Sequence, residues 1–307
     1  MGFATGARPV WPRERTMSFI SILPTLLFIA LGLVMFGLGL SLTVADFQRL
    51  LQYPRAVVLA LVLQVLVLPA VCYGLIVLLG VPPLYAVGLM LLAASPGGVS
   101  ANLFSHLFGG NVAMNISLTA INTLLSIVSL PLITNWAIAT FAKTGQVVPL
   151  QFGKVLEVIV IVLIPVVVGM WAHRRAPAFS ARMEKPMKLF SAMVLAAFAL
   201  IAIVKEWAAL SASFADIGPA VLLFNALSLG AGYFLPRAVG MDKSMATAIG
   251  FEIGIHNSTL AIFIALSVLN NFQLALPAAI YSVSMYIMAP LFGMLVLRRQ
   301  GQKAPGS

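Results

Sequence analysis

The stretch "EIGIHNSTLA" (252–261) sets an acid, an imidazole and three further polar side chains inside sequence that otherwise suits lipid. "KSMATAIGF" (243–251) precedes it, and "LAIFIALSVL" (260–269) continues from its last residues. A continuous helix has no use for Gly254 amid Glu252, His256, Asn257, Ser258 and Thr259. A second stretch, "SPGGVSANLF" (95–104), has the same character: Pro96, Gly97 and Gly98 stop a helix in the middle of an apolar run. Two interrupted spans dictate the reading of the whole chain.

The surroundings are lipid-like throughout. Of 307 residues, 61% are hydrophobic and 8% charged, with a mean hydropathy of +1.06. No soluble core accommodates that much apolar side chain, and no charged residue occurs between Arg55 and Lys143. Backbone groups in lipid must pair within their own segment, so the spans are helices; continuously apolar runs exclude the alternation of a β-barrel. Cys72 is the only cysteine, which excludes a disulfide framework and a Cys-based metal cluster. The net charge of +10 reflects Lys and Arg in loops on one side of a membrane, not a nucleic-acid partner.

Nine apolar runs are expected to span the bilayer, at about 18–43, 55–80, 83–108, 110–142, 152–173, 185–207, 217–239, 243–270 and 273–298. They form one transporter unit over 18–298, in two halves at 18–142 and 152–298, with tails at 1–17 and 299–307. "MGFATGARPVWPRERT" (1–16) does not read as a cleaved signal, because the apolar run behind it is too long and lacks a small-residue cleavage site. If the C-terminus is cytoplasmic, Arg49, Arg55, Arg174, Arg175, Arg182, Lys185, Lys188, Arg237, Lys243, Arg298, Arg299 and Lys303 lie inside. Only Lys143, Lys154 and Lys205 then fall in outside loops, which is the bias of a cytoplasmic C-terminus, although Arg8, Arg13 and Arg15 of the N-terminal tail would also lie outside. An odd number of spans puts the N-terminus outside.

Each interruption falls in the second-to-last span of its half, and matched interruptions in two halves point to a transporter site. Among the acids, Glu14, Asp46, Glu184, Glu206, Asp216 and Asp242 are placed in tails or loops, and Glu157 near a span end. Glu252 alone is deep, roughly 13 Å in from Lys243 at helical rise. A carboxylate at that depth costs several kcal/mol without a partner or a wet cavity, and no Lys or Arg is placed to meet it. A cation from outside the protein is the natural partner. Asn102, Gln64, and Asn115 with Thr119 one turn apart add neutral oxygens, a donor set suited to a hard cation rather than to zinc or copper. An intramembrane enzyme finds no support, since neither Asp nor Lys falls in a span interior.

"MFGLGLSLTVADF" (35–47), "PGGVSANLFSHLFGGNVAMNISLTAINTLLS" (96–126) and "EIGIHNSTLA" (252–261) together resemble the bile acid:sodium symporter family, with the match running from about residue 30 to 298. The resemblance implies an all-α integral membrane fold of inverted repeats, here in a nine-helix form. A panel domain would rock against a core domain that holds two crossing broken helices. It implies one or two co-transported Na+ ions. The first would sit among Asn102, Asn115, Thr119 and Glu252. The second would sit among Gln64, Glu252, His256 and backbone carbonyls at Ile253 and Ile255. A small organic anion, pantoate- or keto-acid-like, would bind beside Asn257, Ser258, Gly98 and Ser100, in a multi-pass protein of the inner membrane. The chain departs from the pattern at three positions. Ala101 and Asn115 stand where bacterial relatives often carry serines, and His256 replaces a glutamine. Two alternatives stay open: proton coupling through Glu252 and His256, and efflux of the arsenite-transporter kind.

Overall fold

The computed structural model describes residues 32–98, 100–142, 152–183 and 207–297, with a few single residues between and beside these stretches. The described chain is helical. Its elements are α1 (Gly32–Ser41), α2 (Val44–Leu50), α3 (Pro54–Leu79) and α4 (Pro83–Ala94). They continue with α5 (Ser100–Leu107), α6 (Val112–Phe141), α7 (Phe152–Arg175) and α8 (Trp207–Ala238). The last three are α9 (Lys243–Gly254), α10 (Ser258–Val268) and α11 (Phe272–Phe292). Among the described residues, Pro54–Leu79, Val112–Phe141, Phe214–Ala238 and Phe272–Leu295 are each long and apolar enough to cross a membrane unbroken. Apart from single residues, the apolar run expected at 185–207 and the start of the first one at 18–31 lie outside the described residues.

Both interrupted spans are divided where their sequences require it. α4 ends at Ala94; Ser95 takes the extended conformation (φ −72°, ψ 146°) that a following proline imposes, and its hydroxyl donates back to the Leu92 carbonyl at 2.6 Å. α5 begins at Ser100. In the other span α9 ends at Gly254, Ile255 and His256 are non-helical, and Asn257 caps α10 by accepting from Leu260 N–H at 3.1 Å. The span expected at 217–239 is longer than its apolar run: α8 begins at Trp207.

Two acids depart from their expected places. Asp46 is buried in the first turn of α2, where Oδ2 accepts from both the N–H and the hydroxyl of Thr43 at 2.7 Å. These two donors replace water, so the acid tolerates burial at a helix N-terminus. Asp216 is exposed within α8 and not in a loop. Asp242, by contrast, caps α9 from the preceding linker, accepting from Met245 N–H at 2.9 Å.

α3 widens at Leu63–Val67, where Leu68 N–H bonds the carbonyl of Leu63, five residues back. Pro69 has no N–H to offer residue 65 and crowds its carbonyl, and the helix accommodates this with one wide turn. That turn carries Gln64 into the interior.

Packing centres on the two divided spans. α9 lies against α5, α6 and α8, while α4 lies against α6 and α11, and α10 against α11. Small residues permit the closest approach. A Cβ on Gly232 of α8 would meet Ile253 Cγ1 at 2.5 Å and Gly250 Cα at 2.8 Å, and one on Gly254 would meet Leu229 Cδ2 at 2.5 Å. In lipid, where apolar burial between helices yields little, such backbone proximity supplies the association energy.

Candidate functional site

The two breaks are joined to each other. Gly98 N–H donates to the Ile255 carbonyl at 2.6 Å, Asn257 N–H donates to the Pro96 carbonyl at 2.8 Å, and Gly97 and His256 pair as an isolated antiparallel bridge. Chain that cannot bond helically at mid-membrane is thus satisfied by the partner break. Gly97 is required there by space. A Cβ would overlap Glu252 Oε1 and stand 2.5 Å from its carboxyl carbon and 2.7 Å from its backbone oxygen. The first interruption is therefore built against the acid of the second.

Glu252 is fully buried. Its Oε2 accepts from Thr119 Oγ1 at 2.6 Å and its Oε1 from Asn122 Nδ2 at 3.0 Å, both on α6. Both partners are neutral. One turn earlier on α9, the Ala248 carbonyl accepts from Asn115 Nδ2 at 2.7 Å. This leaves the amide oxygens of Asn115 and Asn122 buried without a hydrogen-bond partner, as are those of Asn102 and Gln64. Buried amide oxygens that receive no proton are expensive, and those of Asn115 and Asn122 lie on the face of α6 that meets the Glu252 carboxylate and the turn before it.

A second cluster lies on the other side of the break. Gln64 Nε2 donates to the Ser95 carbonyl at 2.9 Å, and His256 Nδ1 meets the same oxygen at 3.2 Å. The imidazole stacks on Phe224 with centroids 5.4 Å apart and takes Tyr281 edge-on at 5.4 Å; its Nε2 is buried without a partner. Neither ring nitrogen bonds Glu252. The Gly254 carbonyl, last of its half-helix, accepts from Asn225 Nδ2 at 3.1 Å and from Tyr281 OH at 2.9 Å. These two donors from α8 and α11 satisfy an oxygen that the break would otherwise orphan.

The geometry thus brings Thr119 to Glu252, Gln64 and His256 to one carbonyl, and Gly98 to Ile255. Ile253 is packed against α8 through its side chain. Asn102 extends from α5 with a free amide oxygen, and Ser258 Oγ is buried and unpartnered at the start of α10. Ser100 faces Tyr286, whose hydroxyl lies 3.4 Å from its Oγ, and it makes no hydrogen bond to Asn257. Sequence reasoning missed Asn122, Ser95, Phe224, Asn225 and Tyr281. Asn122 had a signal, since it stands three residues after Thr119 and seven after Asn115 on one helical face. The Ser95 carbonyl and the aromatic partners had none.

Interrupted helices that satisfy one another at mid-span, around the fully buried Glu252 carboxylate in a lipid-facing bundle, define a secondary transporter and not an enzyme. The particular family follows from comparison with known proteins: the sodium bile acid symporter family model matches residues 28–213, more than half of the chain, and the chain belongs to that family. It is 28% identical to the probable sodium/metabolite cotransporter BASS1 of the Arabidopsis thaliana chloroplast over 88% of this chain, and spans 66% of that relative's length. It is 29% identical to the sodium-dependent transporter YocS of Bacillus subtilis, over 91% of this chain and 85% of the relative. The human ileal sodium/bile acid cotransporter is 24% identical over 83% of this chain and 73% of its own length.

Proposed function

We propose that this protein is a sodium-coupled transporter that imports a small organic anion by alternating access. The observation that carries the reading is Glu252, a fully buried carboxylate held only by Thr119 and Asn122 and accompanied by unpartnered amide oxygens. A carboxylate bonded to neutral donors in lipid keeps its full need for a counter-charge, and neutral oxygens with one acid suit sodium. Asn102, Asn115, Thr119 and Glu252 would hold one ion. Gln64, Glu252, His256 and carbonyls at Ile253 and Ile255 would contribute to a second, weaker site, because imidazole nitrogen is a poorer ligand for sodium than an amide oxygen. The relatives are named as sodium/metabolite, sodium-dependent or sodium/bile acid transporters, which supports the same coupling ion.

The anion would bind where the breaks meet, beside Asn257, Ser258, Gly98 and Ser100. N–H groups at the starts of α5 and α10 present partial positive charge there, and a carboxylate is the complementary group. The two halves, 18–142 and 152–298, would act as inverted repeats, one bundle rocking against the other. A multi-pass protein of this charge pattern would lie in the inner membrane with its C-terminus cytoplasmic and its N-terminus outside.

The test is thermal stabilisation of the purified protein by a panel of small carboxylates, in sodium and then in potassium. Stabilisation by one acid that requires sodium supports the reading. Equal stabilisation in potassium overturns sodium coupling, and uptake driven by a pH gradient without sodium favours proton coupling instead.

A further inference from the structure

On α6 the residues Asn115, Thr119, Asn122, Ser126 and Ser129 recur at steps of four, three, four and three, so they form one stripe along a single helical face. The stripe starts at the Glu252 carboxylate, which Thr119 and Asn122 touch directly. It runs from there toward the Phe141 end of α6, and all five residues are buried, at 0, 0, 2, 7 and 9% exposure. On the opposite face Leu124, Val128 and Leu132 are 40, 59 and 66% exposed, as side chains against lipid are. The polar face is therefore turned away from the hydrocarbon.

What the stripe presents is oxygen. The hydroxyl of Thr123, beside it, donates to the Thr119 carbonyl at 2.7 Å, and that of Ser126 to the Thr123 carbonyl at 2.7 Å. With their hydrogens turned back on their own helix, these groups offer lone pairs and not donors to whatever passes. Asn122 adds an amide oxygen that is buried and unpartnered beside the carboxylate. Polar glue between helices would use those groups against a neighbour, yet none of their oxygens receives a hydrogen bond from another helix among the described residues.

We propose that this stripe is the path by which a cation reaches Glu252 from the side of the membrane faced by the Phe141 end of α6. It rests on the sodium reading given under Proposed function. At helical rise the stretch from Asn122 to Ser129 covers roughly 10 Å, with an oxygen at about every turn to replace successive hydration waters. Ser126 and Ser129 are path residues and not ligands, so they set rates without setting the equilibrium.

Two measurements on full-length protein in proteoliposomes test this. In a Cys72→Ala background, Ser126→Cys and Ser129→Cys should react with a membrane-impermeant, charged methanethiosulfonate from that one side, while Val128→Cys and Leu132→Cys should not. Separately, Ser126→Val and Ser129→Val should slow both association and release of radioactive sodium by about tenfold. Equilibrium sodium affinity should stay within about twofold, and Ser126→Thr should restore the rate because it keeps the hydroxyl. Size-exclusion profiles identify any variant that fails to fold, and the cysteine variants then carry the decision. Unreactive cysteines at 126 and 129, reaction equal to that at 128 and 132, or an affinity loss with unchanged rates overturns the path. Absence of sodium binding by the wild type overturns the sodium reading alone, and the cysteine pattern still decides whether the stripe is accessible.

Discussion

Glu252 concentrates the chemistry, and its environment makes the consequences of changing it specific. Glu252→Gln keeps the size and can still meet Thr119 and Asn122, but it removes the charge that a bound cation would neutralise. Sodium-driven uptake should be lost while the protein still inserts and elutes as wild type; wild-type uptake by this variant sinks the sodium assignment. Gly97→Ala probes the same carboxylate from outside it. The added methyl overlaps Glu252 Oε1, and the neighbouring backbone is held by two bonds between the breaks, so the carboxylate must give way. Apparent sodium affinity should fall at least about tenfold, equivalent to about 1.4 kcal/mol, in a titration of sodium-dependent stabilisation. Tyr281→Phe removes one of two donors to the Gly254 carbonyl and leaves the ring beside His256. It should cost about 1 kcal/mol, read as a lower melting temperature in sodium and in potassium alike, because it weakens the end of α9 without touching Glu252.

At the scale of the element, the two half-helix pairs depend on caps that the surrounding lipid cannot replace. α9 starts on Asp242, α10 on Asn257, and α6 on Asn111, whose own N–H donates to the Ser244 carbonyl at 3.0 Å and ties the α5–α6 turn to the start of α9. Asn257 caps α10 and, in the proposed function, also meets the anion, and the two roles can be separated. Asn257→Asp retains an oxygen for Leu260 N–H but replaces the amide donor with a charge that repels a carboxylate. It should abolish stabilisation by organic anions and preserve stabilisation by sodium, whereas Asn257→Ala should also lose about 1 kcal/mol of cap energy. Equal loss of both responses in the aspartate variant assigns Asn257 to capping alone.

At the scale of the whole molecule the question is orientation. In the proposed orientation, 176–184 and the C-terminus face the cytoplasm, as the bias of Lys and Arg among the loops suggests. In a background with Cys72 replaced by alanine, Ala178→Cys should be shielded from an impermeant thiol reagent in intact cells, and Gly145→Cys should be labelled. The reverse pattern inverts the protein and reverses the side from which the α6 stripe is reached. Within the bundle, α8 and α9 approach so closely at Gly232, Gly250 and Gly254 that a side chain at these positions would collide with or crowd the neighbouring helix. Gly232→Val should accordingly impair insertion or stability more than any change on the lipid face.

Hydropathy, the two interruptions and the isolated acid were legible from the amino-acid sequence, because each is a local property. A run of twenty apolar residues spans lipid wherever it occurs, Pro96 ends a helix whatever surrounds it, and an acid among apolar residues needs a partner in any fold. The family could be named from the same segments. The contacts that complete the site were decided only in three dimensions. Asn122 reaches Glu252 across 130 residues of chain, and the Ser95 carbonyl meets His256 across 161. Asn225 and Tyr281 converge on Gly254 from two other helices. Apolar side chains pack equally well against many neighbours, so the rotation of each helix, and with it the choice of polar partners, follows from the close approach of small residues across the bundle. That information is distributed over several helices at once, and no single stretch carries it.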